Sequence, residues 1–167
     1  LLERKIDKVG VALLHKGIVD RDTISRAIAT KEKEAGRKHR SLAEILVEEY
    51  ALDHHTVFSE VARIYAFKTL KIDEAMTERR LSIIKQMIES LSHEQKSVLF
   101  KSRTLPLQFD ARTPDKLVLV SAVPIHREIP RIASYFRALK YEVYYAELKA
   151  LQPHIDNMLR GDNVFLD

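Results

Sequence analysis

Apolar residues recur three and four positions apart through the first 64 residues, the spacing that gathers side chains on one face of a helix. Ile6, Val9 and Leu13 form one such stripe, and Ile24, Ala27 and Ile28 a second. Leu42, Ile45 and Leu46 form a third, and Val57, Val61 and Ile64 a fourth. The four stripes are two copies of one unit, because residues 8–24 align without a gap on residues 41–57, 33 positions on. Each copy turns, at Gly17 or Tyr50, and restarts at an aspartate, Asp20 or Asp53, with Thr23 or Thr56 three places later. A carboxylate there accepts the free N–H groups of a new helix and sits well at its positive end. The pattern predicts two tandem helix–turn–helix units. Gly17 suits a left-handed helix end, where a tyrosine at the matching Tyr50 would be strained. Residues 32–40, polar and containing Gly36, read as a fraying helix end plus a loop.

The period changes further on. Leu81–Leu91 reads as a helix, with Ile84, Met87, Ile88 and Leu91 on one face. Leu105, Leu107 and Phe109 then alternate with Pro106 and Gln108, as in a half-buried strand, before turn residues at 110–115. Leu117–Val120, leading to Val123, reads as a strand buried on both faces and stopped by Pro124. Ile129, Ile132, Ala133, Phe136 and Leu139 make a helical stripe, and Tyr141, Val143 and Tyr145 a third strand. Leu148, Leu151, Ile155, Met158 and Leu159 close the chain as a helix ending at Gly161. The expected fold class is α+β: a helical tandem repeat over residues 1–70, then a small β-β-α-β-α domain over residues 71–167.

Composition narrows the function. The 167 residues are 46% apolar and 31% charged, with 28 basic against 24 acidic side chains, a balance that supports a real core and argues against disorder. Apolar runs such as Val11–Leu14 are four residues long, too short to cross a bilayer. There is no cysteine, which excludes disulfide scaffolds, zinc ribbons and thiol chemistry. No signal-peptide pattern opens the chain, since Leu1 and Leu2 run straight into Glu3, Arg4 and Lys5, and a fragment of a longer protein is expected. The dense basic run at 37–40 contains no aromatic, and the chain has no tryptophan, so nucleic acid is not an expected partner.

The chemistry of catalysis is thin. Only four glycines occur, Gly10, Gly17, Gly36 and Gly161, and none precedes a lysine, so no P-loop or dinucleotide fingerprint can be written. His54 and His55 are neighbours and point about 100° apart on a helix, whereas a helical zinc pair needs four-residue spacing and a third ligand. They read as solvated first-turn histidines behind Asp53. Glu48-Glu49 and Asp73-Glu74 read as wet helix ends, and no Gly-x-Ser-x-Gly occurs. The expectation is a non-enzyme with no metal and no cofactor.

The repeat resembles the tandem motif Arg-Leu-Gly-x2-Leu-Val-x2-Gly-x6-Leu-x2-Ala-Leu-x2-Gln of the N-terminal domain of type II secretion and type IV pilus assembly ATPases. The first copy runs Lys8-Val9-Gly10, Leu13-Leu14, Gly17, Ile24, Ala27-Ile28 and Lys31. The second runs Ser41-Leu42-Ala43, Leu46-Val47, Tyr50, Val57, Val61 and Ile64. The second half is similar to that family's β-β-α-β-α piece, with Leu105-Pro106-Leu107 and then Leu117 to Pro124, Val123 standing where aspartate is usual.

The resemblance implies an adaptor that docks the motor to the cytoplasmic domain of an inner-membrane platform protein. A C-terminal ATPase domain would follow, and the location would be cytoplasmic, peripheral at the inner membrane, without direct membrane insertion. Leu1–Ile6, ahead of the repeat, is the expected exposed apolar segment. The resemblance also implies an alternative, cyclic di-GMP binding, with Lys8, Val9, Gly10, Lys31, Arg40 and Leu42 as the motif remnants. In that motif arginine has become Lys8 and Ser41, and glutamine has become Lys31 and Ile64. Lysine keeps charge but loses the bidentate fork, and isoleucine cannot hydrogen-bond a base. Arg40, one residue out of register, partly compensates. A stand-alone regulatory or scaffold protein is the third reading.

Overall fold

Asp7 opens the first helix by accepting the N–H of Gly10 at 2.9 Å, and Asp20, Ser41 and Asp53 open the next three in the same way. In this computed structural model, which describes residues 7–37 and 39–159, these are α1 (Lys8–His15), α2 (Arg21–Glu34), α3 (Leu42–Glu49) and α4 (His54–Ile64). Ile6, the rest of Leu1–Ile6 and Gly161 lie outside the described residues. The fold class is α+β, helices first and a small mixed sheet with helices after. The chain divides into two compact units between Ala66 and Phe67.

In the first unit the buried faces keep the 33-residue register. Val9 and Leu42, Leu13 and Leu46, Ile24 and Val57, Ile28 and Val61 are all buried. α1 packs on α3 and α4, and α2 on α3. The turns differ. After α1, Gly17 takes φ +70°, and the N–H groups of Gly17 and Ile18 bond the carbonyls of Leu14 and Leu13, both at 3.0 Å. That closes two end carbonyls with a residue that has no Cβ to strain. After α3, Tyr50 keeps φ −115° and Ala51 takes the left-handed position at φ +56°. The reversal has moved one residue along, onto a side chain smaller than tyrosine, and α3 begins and ends one residue later than the repeat predicts.

The second unit holds α5 (Ile72–Ala75), α6 (Glu78–Glu89), α7 (His93–Lys101), β1 (Thr104–Phe109), β2 (Lys116–Ser121), α8 (Ile129–Tyr135), β3 (Lys140–Tyr145) and α9 (Leu148–Leu159). The expected β-β-α-β-α order is present, with three helices ahead of it. α6 starts three residues before Leu81, where the Thr77 hydroxyl accepts the N–H of Arg80 at 3.2 Å. α7 was not predicted. It rests on a capping box, in which Ser92 Oγ accepts the N–H of Gln95 (3.2 Å) and Gln95 Oε1 accepts the N–H of Ser92 (2.9 Å).

The strands lie in the order β1-β2-β3, β1 antiparallel and β3 parallel to β2. β2 is central and carries the core, with Leu117, Leu119 and Val120 fully buried. Beyond β3, the backbone of Tyr145 bonds Lys68 O and Leu70 N, each at 2.8 Å. β1 departs from the predicted alternation. Thr104, Leu105, Pro106 and Leu107 are all buried and Phe109 is exposed. Two causes act: α6 and α7 pack on β1, and the Thr104 hydroxyl is satisfied inside by Ser102 O (3.0 Å) and Ser121 Oγ (2.9 Å). Pro106 is tolerated because β1 is an edge strand. The stripe predicted to reach Leu139 also stops short. Arg137, at φ +56°, ends the helical path after α8, and Leu139 is left 82% exposed.

Candidate functional site

The helix ends of the first unit frame a cleft of about 340 Å³ lined by Asp7, Ile28, Lys31, Glu32, Ala35 and Leu42. Its apolar floor comes from the last turns of α2 and the first residue of α3. Its polar rim is mixed, with one lysine and two carboxylates. Of the residues expected from sequence, Lys31 and Leu42 meet here. Val9 and Gly10 are buried within α1, and Lys8 is exposed at its first position. Leu42 is 2% exposed, so it contributes packing surface. Asp7, Ile28, Glu32 and Ala35 were not foreseen, although an aspartate just ahead of the Val9 and Leu13 stripe marks Asp7 as a cap.

Arg40 is committed elsewhere. Its Nε donates to Glu34 at 3.1 Å, its Nη1 to Glu48 at 2.6 Å and its Nη2 to Glu49 at 2.9 Å and also to Glu34. Its side chain is 13% exposed. The hydrogen bond with Glu34, followed by those with Glu48 and Glu49, holds its guanidinium far above the usual arginine range. This cation stitches the end of α2 to the last turn of α3. At the N-termini of α1 to α4, helix ends of the kind that grip anions in many proteins, one N–H each is already bonded by the capping side-chain oxygen.

Two buried glutamates complete the electrostatics. Glu60 of α4 accepts from Lys16 and, at 3.1 and 3.0 Å, from Arg63. The Lys16 hydrogen bond, above all, holds its carboxyl below the usual range. Among the described residues, Glu44 of α3 has no such cation bonded to it. Burial pushes its carboxyl up, and the Ser41 hydroxyl, donating at 3.2 Å, and the Ser41 N–H offset only part of this. The signs differ. Glu60 adds stability above the unfolded value near 4.5 and loses it as pH falls through its lower folded value. Glu44 binds its proton more tightly when folded, so stability falls as pH rises from near 4.5 through its higher folded value. Glu44→Gln is therefore expected to stabilise the chain at neutral pH by about 1 kcal/mol, and Glu60→Gln to destabilise it by a similar amount. Melting both variants across the acid and neutral range checks this, and shifts of the same sign would refute it.

His54, expected to be solvated, is instead half-buried, its ring stacked on Phe58 with centroids 4.4 Å apart. Phe58 is itself 1% exposed, so the first turn of α4 is drawn onto the core. His55 is exposed, as expected. Among the described residues no group of three or more His, Cys, Asp or Glu side chains is placed to hold a metal ion. Also among them, no helix is long and apolar enough to cross a membrane.

The α+β fold, helices first and a small mixed sheet with helices after, has a likeness among solved structures. The chain is similar to one described as "Structure of MshE with cdg", with a TM-score of 0.58 and 15% sequence identity. The likeness covers 92% of this chain and 99% of that one, and at that identity it is a likeness of fold. No family model matches the chain, and no curated protein matches it.

Proposed function

We propose that this chain is a non-catalytic N-terminal domain of a type II secretion or type IV pilus assembly ATPase, and that it couples the motor to the cytoplasmic domain of an inner-membrane platform protein. The observation that carries the reading is the fold likeness to MshE over almost the full length of both chains. The tandem repeat, with its buried faces 33 residues apart, supports it from the sequence side. The test is a titration of the chain against the cytoplasmic domain of the platform protein from its own secretion or pilus machine. Saturable binding in the micromolar range is expected, worth about 8 kcal/mol. A flat titration at hundred-micromolar concentrations would defeat the reading.

The MshE structure carries cdg, which we read as cyclic di-GMP, so regulation by that ligand is the second reading. The side chains of this chain argue against tight binding. Two phosphates ask for cations or free N–H groups, and two guanines ask for polar edges. The cleft sets Lys31 beside Asp7 and Glu32, Arg40 is held by three carboxylates, and Ile64 has nothing to offer a base. Calorimetric titration with cyclic di-GMP is expected to show no saturable heat. Micromolar binding abolished by Lys8→Ala would establish the second reading in place of this one.

A further inference from the structure

Phe109, Leu117 and Tyr141 form one row across all three strands, since Phe109 pairs with Leu117 and Leu117 with Tyr141. Paired residues point to the same side of a sheet. Leu117 at the centre is fully buried, while Phe109 and Tyr141 at the ends are 40% and 43% exposed. Leu139 stands at the same end of the sheet, its N–H donating to Asp115 O at 3.2 Å. At 82% exposed it is the most prominent large apolar side chain among the described residues. Scattered apolar residues on a surface need no explanation, but three gathered at one sheet end do.

The charges around them have one sign to spare. Arg112, Arg137 and Lys140 are exposed. Asp110 is turned into its own loop, accepting the N–H of Arg112 at 2.8 Å, and Glu142 is bonded to Lys116 at 2.9 Å. Asp110, which keeps its charge, and half-buried Asp115 supply two carboxylates against the three cations. The local picture is an aliphatic tip at the turn into β3, two aromatic rings beside it and a cationic rim.

We propose that this end of the sheet docks on an anionic lipid surface. Leu139 enters the boundary between headgroups and acyl chains, Phe109 and Tyr141 lie at headgroup level, and Arg112, Arg137 and Lys140 face lipid phosphates. Aromatic rings favour that interface, and each cation near an anionic leaflet adds attraction. A protein partner would need a pocket matched to the projecting leucine; a lipid interface receives it without one. A contact of this size is weak and reversible on its own. The inference stands apart from the platform-protein reading and uses different residues.

The test is co-sedimentation of the whole chain with vesicles of phosphatidylcholine containing about 30% phosphatidylglycerol at low salt. Binding is expected on these vesicles and not on pure phosphatidylcholine. Leu139→Glu is expected to weaken it roughly tenfold, Leu139→Ser roughly threefold, and the double change Arg137→Glu with Lys140→Glu at least tenfold. Val11→Glu makes the same charge change at an exposed position of the first unit, 53% accessible, and is expected to keep binding close to that of the parent chain. No sedimentation, equal sedimentation on neutral vesicles, or equal losses for Val11→Glu and Leu139→Glu would overturn the proposal. So would binding of a synthetic Leu/Glu amphipathic peptide in place of vesicles, which would assign the patch to an acidic protein. Far-UV circular dichroism of each variant confirms that the fold is retained.

Discussion

Replacing Arg40 with alanine is expected to destabilise the first unit by about 2–3 kcal/mol. The magnitude follows from where the three partners sit. The Arg40 and Glu34 side chains are 13% and 17% exposed, so that pair is largely removed from water. Breaking a buried pair costs about 3–5 kcal/mol, because the partner is left charged and uncompensated. Glu48 and Glu49 are 54% and 48% exposed, and exposed pairs are worth about 0–1 kcal/mol each. Removing the cation also leaves three like charges facing one another at the junction of α2 and α3. Arg40→Lys keeps the charge but cannot reach three carboxylates with one ammonium, and a loss of about 1.5 kcal/mol is expected. Urea denaturation followed by circular dichroism measures both. A loss below about 0.5 kcal/mol for Arg40→Ala would show the network to be a solvated cluster of no structural weight. The functional consequence is direct: any anion that recruited Arg40 would first have to break this network.

That network also shows what a sequence reveals and what it hides. The two hairpins were legible because their signal is local: apolar spacing of three and four, and an aspartate one residue ahead of each second helix. Arg40 was legible as a cation near a ligand motif, but its partners were not, because Glu34, Glu48 and Glu49 meet it only after α2 and α3 pack. The cleft failed for the same reason, joining residues from Asp7 to Leu42 across three helix ends. Ala51 shows a subtler limit. The gapless repeat placed the reversal at Tyr50, yet the chain needs only one left-handed residue near that point, and the smaller neighbour takes it. In the second unit, α7 could have been found from Ser92 and Gln95, whose spacing is that of a capping box. It was obscured by a weak apolar stripe, in which only Lys96 and Leu99 are buried. Leu139 fell on a plausible helical period, and only the left-handed Arg137 excludes it from the helix. Ala51 and Leu139 share one cause: periodicity reports a face, and the turn that ends the element decides how far the face extends.

Tyr145→Ala is expected to be the most damaging single substitution in the second unit, at about 4 kcal/mol. Tyr145 is 1% exposed and among the largest fully buried side chains of the chain. Truncating a buried aromatic to alanine costs about 3–5 kcal/mol, from lost transfer energy and from the cavity left behind. Its position sharpens the effect. On β2 it pairs with Ser121, whose hydroxyl belongs to the buried cluster with Thr104 and the carbonyl of Ser102. On the outer side its backbone holds Lys68 and Leu70. A cavity at this point therefore loosens the last residue of β3 on both of its edges. In a unit of this size each kcal/mol moves the melting temperature by about 4–8 °C, so a fall of roughly 15–30 °C is expected. Tyr145→Phe retains the ring and is expected to lose only about 1 kcal/mol. Thermal melts of the two variants separate packing from hydrogen bonding. Equal losses for Ala and Phe would place the weight on the hydroxyl and would refute the packing account. The same melts bear on the lipid-docking end of the sheet, since Tyr141 and Tyr145 share β3: a unit weakened at Tyr145 should lose vesicle binding only as it unfolds, whereas Leu139→Glu should lose it with the fold intact.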